Sequence, residues 1–107
     1  MTFDDFDKFQ GKLFSECFDM SKTKGKEYAN GADRMGNFNR LSERLGISPE
    51  QVLYVYLTKH LDAIESYVKT GKVMSEEGIR GRIKDAITYL TILAGMAESS
   101  SPFNPSS

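Results

Sequence analysis

The chain has little of three things that place proteins in common classes: cysteine, long apolar runs and net charge. Its single cysteine, Cys17, excludes an intrachain disulfide and a cysteine metal cluster, and its place between Phe14 and Phe18 predicts a small buried side chain. No apolar run approaches the ~20 residues that a membrane helix needs. The net charge of −1 lacks the basic excess of proteins that coat nucleic acid or bind membrane surfaces. We therefore expect neither a membrane nor long nucleic acid as a partner.

The first residues of the chain are also informative by what they lack. Residues 1–5 are acidic and have no basic segment of the kind that opens a secretory signal peptide. Together with the single cysteine, this predicts a cytoplasmic, reducing location.

Apolar residues recur every three or four positions, and no segment alternates with period two, which predicts an all-α fold. Ser48, Pro49 and Gln51 form a capping-box signal for the start of a helix, and Gly46 and Gly71 are placed to end helices. The predicted helices cover residues 3–21, 37–45, 49–70 and 76–98.

The third and fourth predicted helices are long and joined by a short turn, so we expect them to pack as an antiparallel hairpin. The first two helices would cover its apolar side, giving a compact bundle of about four helices. Residues 1–98 are expected to form this single domain. Residues 99–107 are rich in serine and proline, which predicts a disordered tail.

Residues 22–36 predict a long basic loop after the first helix, with three glycines and no apolar period. Its glycines would let backbone amides approach an anion, and Lys24, Lys26 and Arg34 would supply compensating charge. Tyr28 could stack on a base. The P-loop spacing of glycine, lysine and serine or threonine is not present, and a lysine-rich loop is usually only a solvated one.

The seam between the two long helices carries ionisable residues beside apolar ones. With the turn near residue 73, counting along the hairpin places His60 opposite Lys84–Asp85 and Tyr56 opposite Tyr89. Asp85 accepting a hydrogen bond from His60 would fix the imidazole tautomer. A core histidine whose hydrogen bonds are made within the protein, together with ion pairs on the helix surface, explains the same pattern about as well.

Two cations flank this predicted pair, since Lys59 precedes His60 and Arg82 lies one turn before Asp85. Buried ionisable groups are costly unless they are paired, so a helix that carries them beside its core face usually needs them. Lys59 and Arg82 are therefore predicted to contact a ligand, while His60 and Asp85 support the architecture.

Acidic pairs at i, i+3 spacing raise an alternative, because all-α nucleotide pyrophosphatases hold magnesium with such pairs. Glu16 and Asp19 form one pair, and Asp62 and Glu65 form another. Such pairs also arise by chance in a helical chain with 15 acidic residues. We favour no metal and no cofactor, with magnesium reserved for the enzyme alternative.

Several of these residues occur in one order that resembles a family of small phage and prophage proteins, nucleotide modification associated domain 1. The resemblance covers about residues 22–98. Its matching segments are Lys24-Gly25-Lys26-Glu27-Tyr28, Asn37-Phe38, Tyr56-x-x-Lys59-His60-x-x-x-Ile64 and Gly81-Arg82-Ile83-x-Asp85-x-x-x-Tyr89-Leu90. Glu27 stands where the family pattern has Asp.

The resemblance implies an α-helical phage protein associated with nucleotides or their modification, acting in the host cytoplasm. By motif position it implies functional roles for Lys26, Tyr28, Asn37, Lys59, His60, Arg82 and Asp85. It supplies no agreed reaction.

Three functions are consistent with these observations. The favoured one is a nucleotide-binding protein that captures a host-made nucleotide, including a defence signal, without catalysis. The second is a magnesium-dependent nucleotide pyrophosphohydrolase or nucleotide-modification enzyme. The third is an oligomeric interaction protein with no small ligand, because Tyr54, Leu57 and Leu61 extend the apolar surface of the third helix. A homo-oligomer is expected under the first and third.

Overall fold

Four helices make up the described parts of the chain: α1 (Phe3–Tyr28), α2 (Gly36–Leu45), α3 (Pro49–Thr70) and α4 (Gly78–Ser100). The computed structural model describes residues 1–28, 35–72 and 78–100, with residues 23–28 and 100 described by their backbone alone. Within these ranges there is no strand, which confirms the all-α prediction. No helix within them is long and apolar enough to cross a membrane.

The predicted signals at the ends of α2 and α3 are confirmed. Gly46 ends α2 in the left-handed region at φ 72°, and its N–H donates to the Ser42 carbonyl. The Gln51 N–H donates to the Ser48 hydroxyl at 3.1 Å, and the Gln51 side chain accepts from the Ser48 N–H at 2.8 Å. Gly71 ends α3 at φ 74°. Only glycine adopts these angles readily, so the sequence determines both helix ends.

The ends of α1 and α4 differ from the prediction. α1 continues to Tyr28 rather than ending at residue 21, so the segment predicted as the first half of a basic loop is helical. Lysine and glutamate are good helix formers, and one glycine inside a helix costs only about 1 kcal/mol. α4 continues to Ser100, past the predicted start of the tail at residue 99. The rest of the tail, residues 101–107, and the first two residues of the predicted fourth helix, 76 and 77, lie outside the described residues.

The predicted hairpin is confirmed, since α3 and α4 pack closely along their length. α2 packs on α3, and Phe38 of α2 enters the core between the two long helices. Leu53 is completely buried at the centre. The buried core consists of Phe38, Val52, Leu53, Leu57, Ala86 and Met96.

α1 attaches to the outside of α4. Cys17 is buried there, as predicted, with its Sγ 4.0 Å from the Lys84 carbonyl oxygen. Burial raises the pKa of the Cys17 thiol above its usual value, with smaller effects from nearby charges. Beside it, Glu16 forms ion pairs with Arg80 and Lys84. The buried Cys17 and the ion pairs of Glu16 therefore attach α1 to α4.

Candidate functional site

The seam between α3 and α4 brings His60 and Asp85 together, as the helix count predicted. His60 Nδ1 lies 3.6 Å from Asp85 Oδ2, and the side chains are only 12% and 9% exposed. This distance is longer than a hydrogen bond. The carboxylate therefore acts on the imidazole through its charge.

Arg82 makes the closer contact with the imidazole. Its Nη1 lies 3.2 Å from His60 Nδ1, which is within hydrogen-bond distance. A guanidinium can only donate, so Nδ1 accepts, and the proton of the neutral ring is on Nε2. Arg82 is therefore the closer of the two charged neighbours of Nδ1. That Asp85 fixes the tautomer by a hydrogen bond stays a prediction.

A continuous stack of rings adjoins these charges. Tyr56 and Tyr89 are almost parallel, with centroids 6.2 Å apart and planes inclined by 5°. Tyr89 also stacks on His60 at 5.5 Å. Phe38 meets both tyrosines edge-on, at 6.2 and 6.5 Å. The predicted opposition of Tyr56 and Tyr89 is confirmed, and Tyr56 is the outer ring of the stack, 38% exposed.

The start of α2 brings one further predicted residue to the edge of these rings. Asn37 is half-buried and directly precedes Phe38, whose ring contacts the two stacked tyrosines. Its Oδ1 accepts a hydrogen bond of 2.7 Å from Arg40 Nη2. This bond uses the side-chain oxygen of Asn37 and not its N–H₂ group, which can donate a hydrogen bond to a ligand.

Lys59 lies exposed on α3, one residue before His60. An ammonium on a flexible stem at this position can reach an anion held over the seam. With Lys59 and Arg82 positive and Asp85 negative, the charged residues of this group have a net positive charge. The α3–α4 part of the predicted site is therefore suited to an anion.

The other predicted ligand residues are not tested in the same way. Lys24, Lys26 and Tyr28 lie on the last turns of α1, where only the backbone is described, and Arg34 lies outside the described residues. Because α1 is helical there, these three residues cannot form the predicted glycine loop. Whether they approach the seam stays a prediction.

The carboxylates of the metal alternative do not come together. Glu16 is held by Arg80 and Lys84, and Glu65 pairs with Lys69 at 2.8 Å on the exposed side of α3. Over the ranges 1–28, 35–72 and 78–100, no three or more histidine, cysteine or acidic side chains are placed to share a metal ion. The i, i+3 spacing predicts that two carboxylates are neighbours on one helix. It does not predict that the carboxylates of two different helices come together.

Sequence reasoning missed the cluster formed by Glu16, Arg80 and Lys84. Arg80 Nη2 donates to Glu16 Oε1 at 2.9 Å, its Nε donates to the same oxygen at 3.2 Å, and Lys84 Nζ lies 3.5 Å away. The hydrogen bond from Arg80 is the largest influence that lowers the pKa of Glu16 from its usual 4.5, and the charges of Arg80 and Lys84 add to it. Nothing in the local spacing indicates which helix α1 packs on.

Sequence reasoning also left Tyr56 and Tyr89 out of the candidate site. Tyr56 and Tyr89 were predicted to face each other, and the i, i+4 spacing of Tyr56 and His60 was a signal that could have included them. The rings and the charges lie next to one another, because Tyr89 stacks on His60.

Comparison with protein-family models, curated proteins and solved structures gave no match to the chain.

Proposed function

We propose that this protein binds a nucleotide, or a molecule derived from one, at the seam of α3 and α4. The observation that supports this most is the position of Arg82 against a stack of rings that ends in the half-exposed Tyr56. A nucleotide combines an anionic phosphate with a flat base, and cations next to aromatic faces match both parts. In this proposal Lys59 and Arg82 contact phosphate, and Tyr56 stacks on the base.

The chemistry of His60 supports binding without catalysis. Its Nδ1 accepts from Arg82, and a general base needs a ring nitrogen that can take a proton from the substrate.

The finer parts of the proposal come from the sequence. The resemblance to nucleotide modification associated domain 1 supports a phage protein that acts in the host cytoplasm. Under that reading, the ligand includes a nucleotide made by the host as a defence signal, and binding would remove it from use. We also propose that the chain forms a homo-oligomer.

Isothermal titration calorimetry with a panel of mono-, di- and cyclic nucleotides tests the binding proposal. We expect at least one member to bind more tightly than millimolar, and Lys59→Ala to weaken its binding about tenfold, because a phosphate contact is lost. Lys69→Ala is the matched control, since Lys69 is an exposed lysine on the same helix whose partner is Glu65. Absence of binding across the panel, or equal loss in both variants, would contradict the proposal.

Mass spectrometry of the bound molecule distinguishes capture from catalysis. After incubation, the protein is denatured and the released ligand is analysed. We expect the intact nucleotide to be recovered, with magnesium present or absent. A shortened nucleotide together with free pyrophosphate or phosphate would favour the enzyme alternative.

A further inference from the structure

α1 carries more apolar surface than its contact with α4 uses. We define the phenylalanine face as Phe3, Phe6, Phe14 and Phe18, which are 91%, 47%, 50% and 61% exposed. At 100° per residue these four side chains fall within a sector of about 120° on the helix. The Phe6 edge of this sector overlaps the strip that holds Cys17, and Phe3, Phe14 and Phe18 lie beyond that strip. Four exposed phenylalanines on one helix face exceed the scattered single residues that ordinary surfaces show.

The phenylalanine face is held in a fixed orientation. Glu16 ties α1 to Arg80 and Lys84, and Arg80 also lies over the ring of Phe9, 5.2 Å from its centroid. α1 is therefore attached by one side while the phenylalanine face is presented on another. A helix presented in this way can pair with a partner without being detached from its own bundle.

Charges along one edge of the phenylalanine face indicate what covers it. Asp4 and Lys22 are 18 residues apart, which is five helical turns, so they lie on the same edge at opposite ends of the face. The Lys22 ammonium lies 4.8 Å from the centroid of the Phe18 ring and so sits over the end of the face. The surface is therefore acidic at one end and basic at the other.

We propose that the phenylalanine face is a self-association surface, on which α1 packs antiparallel to α1 of a second copy. In an antiparallel helix pair the like edges of the two helices lie side by side. Asp4 of each copy then meets Lys22 of the other, and Phe14 lies near the two-fold axis. A parallel pair would set like ends together, with acidic residues next to acidic residues. The antiparallel arrangement is also the isologous one that a two-fold dimer requires.

The area of the face is sufficient for this role. With about 200 Å² per phenylalanine side chain, the exposed fractions leave about 500 Å² of ring surface on each copy. Two copies would then bury about 1,000 Å² from the rings alone, which reaches the lower limit of specific interfaces. This inference deepens the homo-oligomer part of the proposed function, and it does not depend on ligand binding.

Sedimentation velocity on the full chain across micromolar concentrations tests the surface. We expect the wild-type chain to associate, and the double variant Phe14→Asp, Phe18→Asp to sediment as a monomer with unchanged helical circular dichroism. The control is Val68→Asp, because Val68 is 75% exposed on α3. It lies on the same helix face as Tyr54 and Leu61, which belong to the other apolar surface considered for assembly. This control should associate like the wild type.

The other outcomes distinguish a failure of self-association from a failure of this particular surface. A monomeric wild type would overturn self-association altogether. If that monomer also floats with vesicles of anionic lipid, the phenylalanine face contacts a membrane instead of a second copy. An associated wild type that is dissociated by Val68→Asp and not by the phenylalanine variant would overturn this surface and retain the homo-oligomer.

Disulfide trapping tests the direction of pairing. Chains carrying Asp4→Cys are mixed with chains carrying Lys22→Cys under mild oxidation, while the native Cys17 is buried against α4. We expect cross-links between the two kinds of chain and none between two Asp4→Cys chains. Cross-links mainly between identical chains would indicate parallel pairing and overturn the proposed geometry.

Discussion

The guanidinium of Arg82 lies 3.2 Å from Nδ1 of His60, closer than the carboxylate of Asp85, which is 3.6 Å from the same nitrogen. The imidazole is therefore an acceptor at this position, and Arg82 and Asp85 hold it between opposite charges. In the neutral ring the N–H is then on Nε2. The arrangement also places a cation where the stacked rings of Tyr89 and Tyr56 begin.

Removing the charge of Asp85 should destabilise the protein. Asp85 is 7% exposed, and its carboxylate lies 3.6 Å from His60 Nδ1, the atom that Arg82 also contacts. Asp85→Ala therefore removes a buried negative charge next to a partly buried guanidinium. We expect a loss of about 3 kcal/mol in the free energy of unfolding, measured by urea denaturation. Asp62→Ala, an exposed acidic residue on α3, is the control and should change stability by less than about 0.5 kcal/mol. Equal effects would show that Asp85 has no special role.

The ion pairs of Glu16 should make stability depend on pH in the acidic range. The pKa of Glu16 is lowered in the folded chain, so the folded state binds fewer protons there than the unfolded state. The stabilisation is complete above the usual pKa of 4.5 and is lost as the pH falls through the lowered folded value. We expect the melting temperature of Glu16→Gln to fall less than that of the wild type between pH 5 and pH 3.

The control for this prediction is Glu65→Gln. Glu65 pairs with Lys69 at i, i+4, and both side chains are largely exposed, so this pair contributes little to stability. Its pH profile should follow that of the wild type. A Glu16→Gln profile that also follows the wild type would mean that the contact between α1 and α4 does not depend on this carboxylate.

Cys17 should react slowly with thiol reagents in the native protein. Burial against α4 raises the pKa of its thiol, and the thiolate is the reactive form. We expect labelling by a chromogenic disulfide reagent at pH 8 to be far slower than in urea-unfolded chain. Glu16→Ala and Arg80→Ala should both accelerate labelling, because each weakens the attachment of α1. Rapid labelling of the native chain would contradict the packing of α1 on α4.

The hairpin could be predicted from the sequence because its determinants are local. Ser48, Gly46 and Gly71 determine where α2 and α3 begin or end through backbone geometry that few other residues provide. Counting residues from the turn then places His60 opposite Lys84–Asp85. Such counting succeeds wherever two helices share one short connection.

The placement of α1 could not be predicted in the same way. It meets α4 through contacts about 65 residues apart in sequence, such as Glu16 with Arg80, and no turn geometry relates the two helices. Its apolar residues exceed one face, so periodicity does not identify which side packs. The end of α1 was also misplaced, because Gly25 and the lysines around it resemble a loop by composition while their summed helix propensity permits another two turns.

Tyr56 should contribute to ligand binding through its ring and not through its hydroxyl. Its ring is the outer member of the stack with Tyr89, and base stacking on an aromatic side chain contributes about 1–3 kcal/mol. We therefore expect Tyr56→Leu to weaken binding of the nucleotide identified by calorimetry at least fivefold, while Tyr56→Phe retains most of the affinity. Far-ultraviolet circular dichroism should show the same helix content in both variants. If Tyr56→Phe loses as much affinity as Tyr56→Leu, the hydroxyl carries the contact and the base does not stack on this ring. If neither variant changes the affinity, the nucleotide lies elsewhere, and the stacked tyrosines only join α3 to α4.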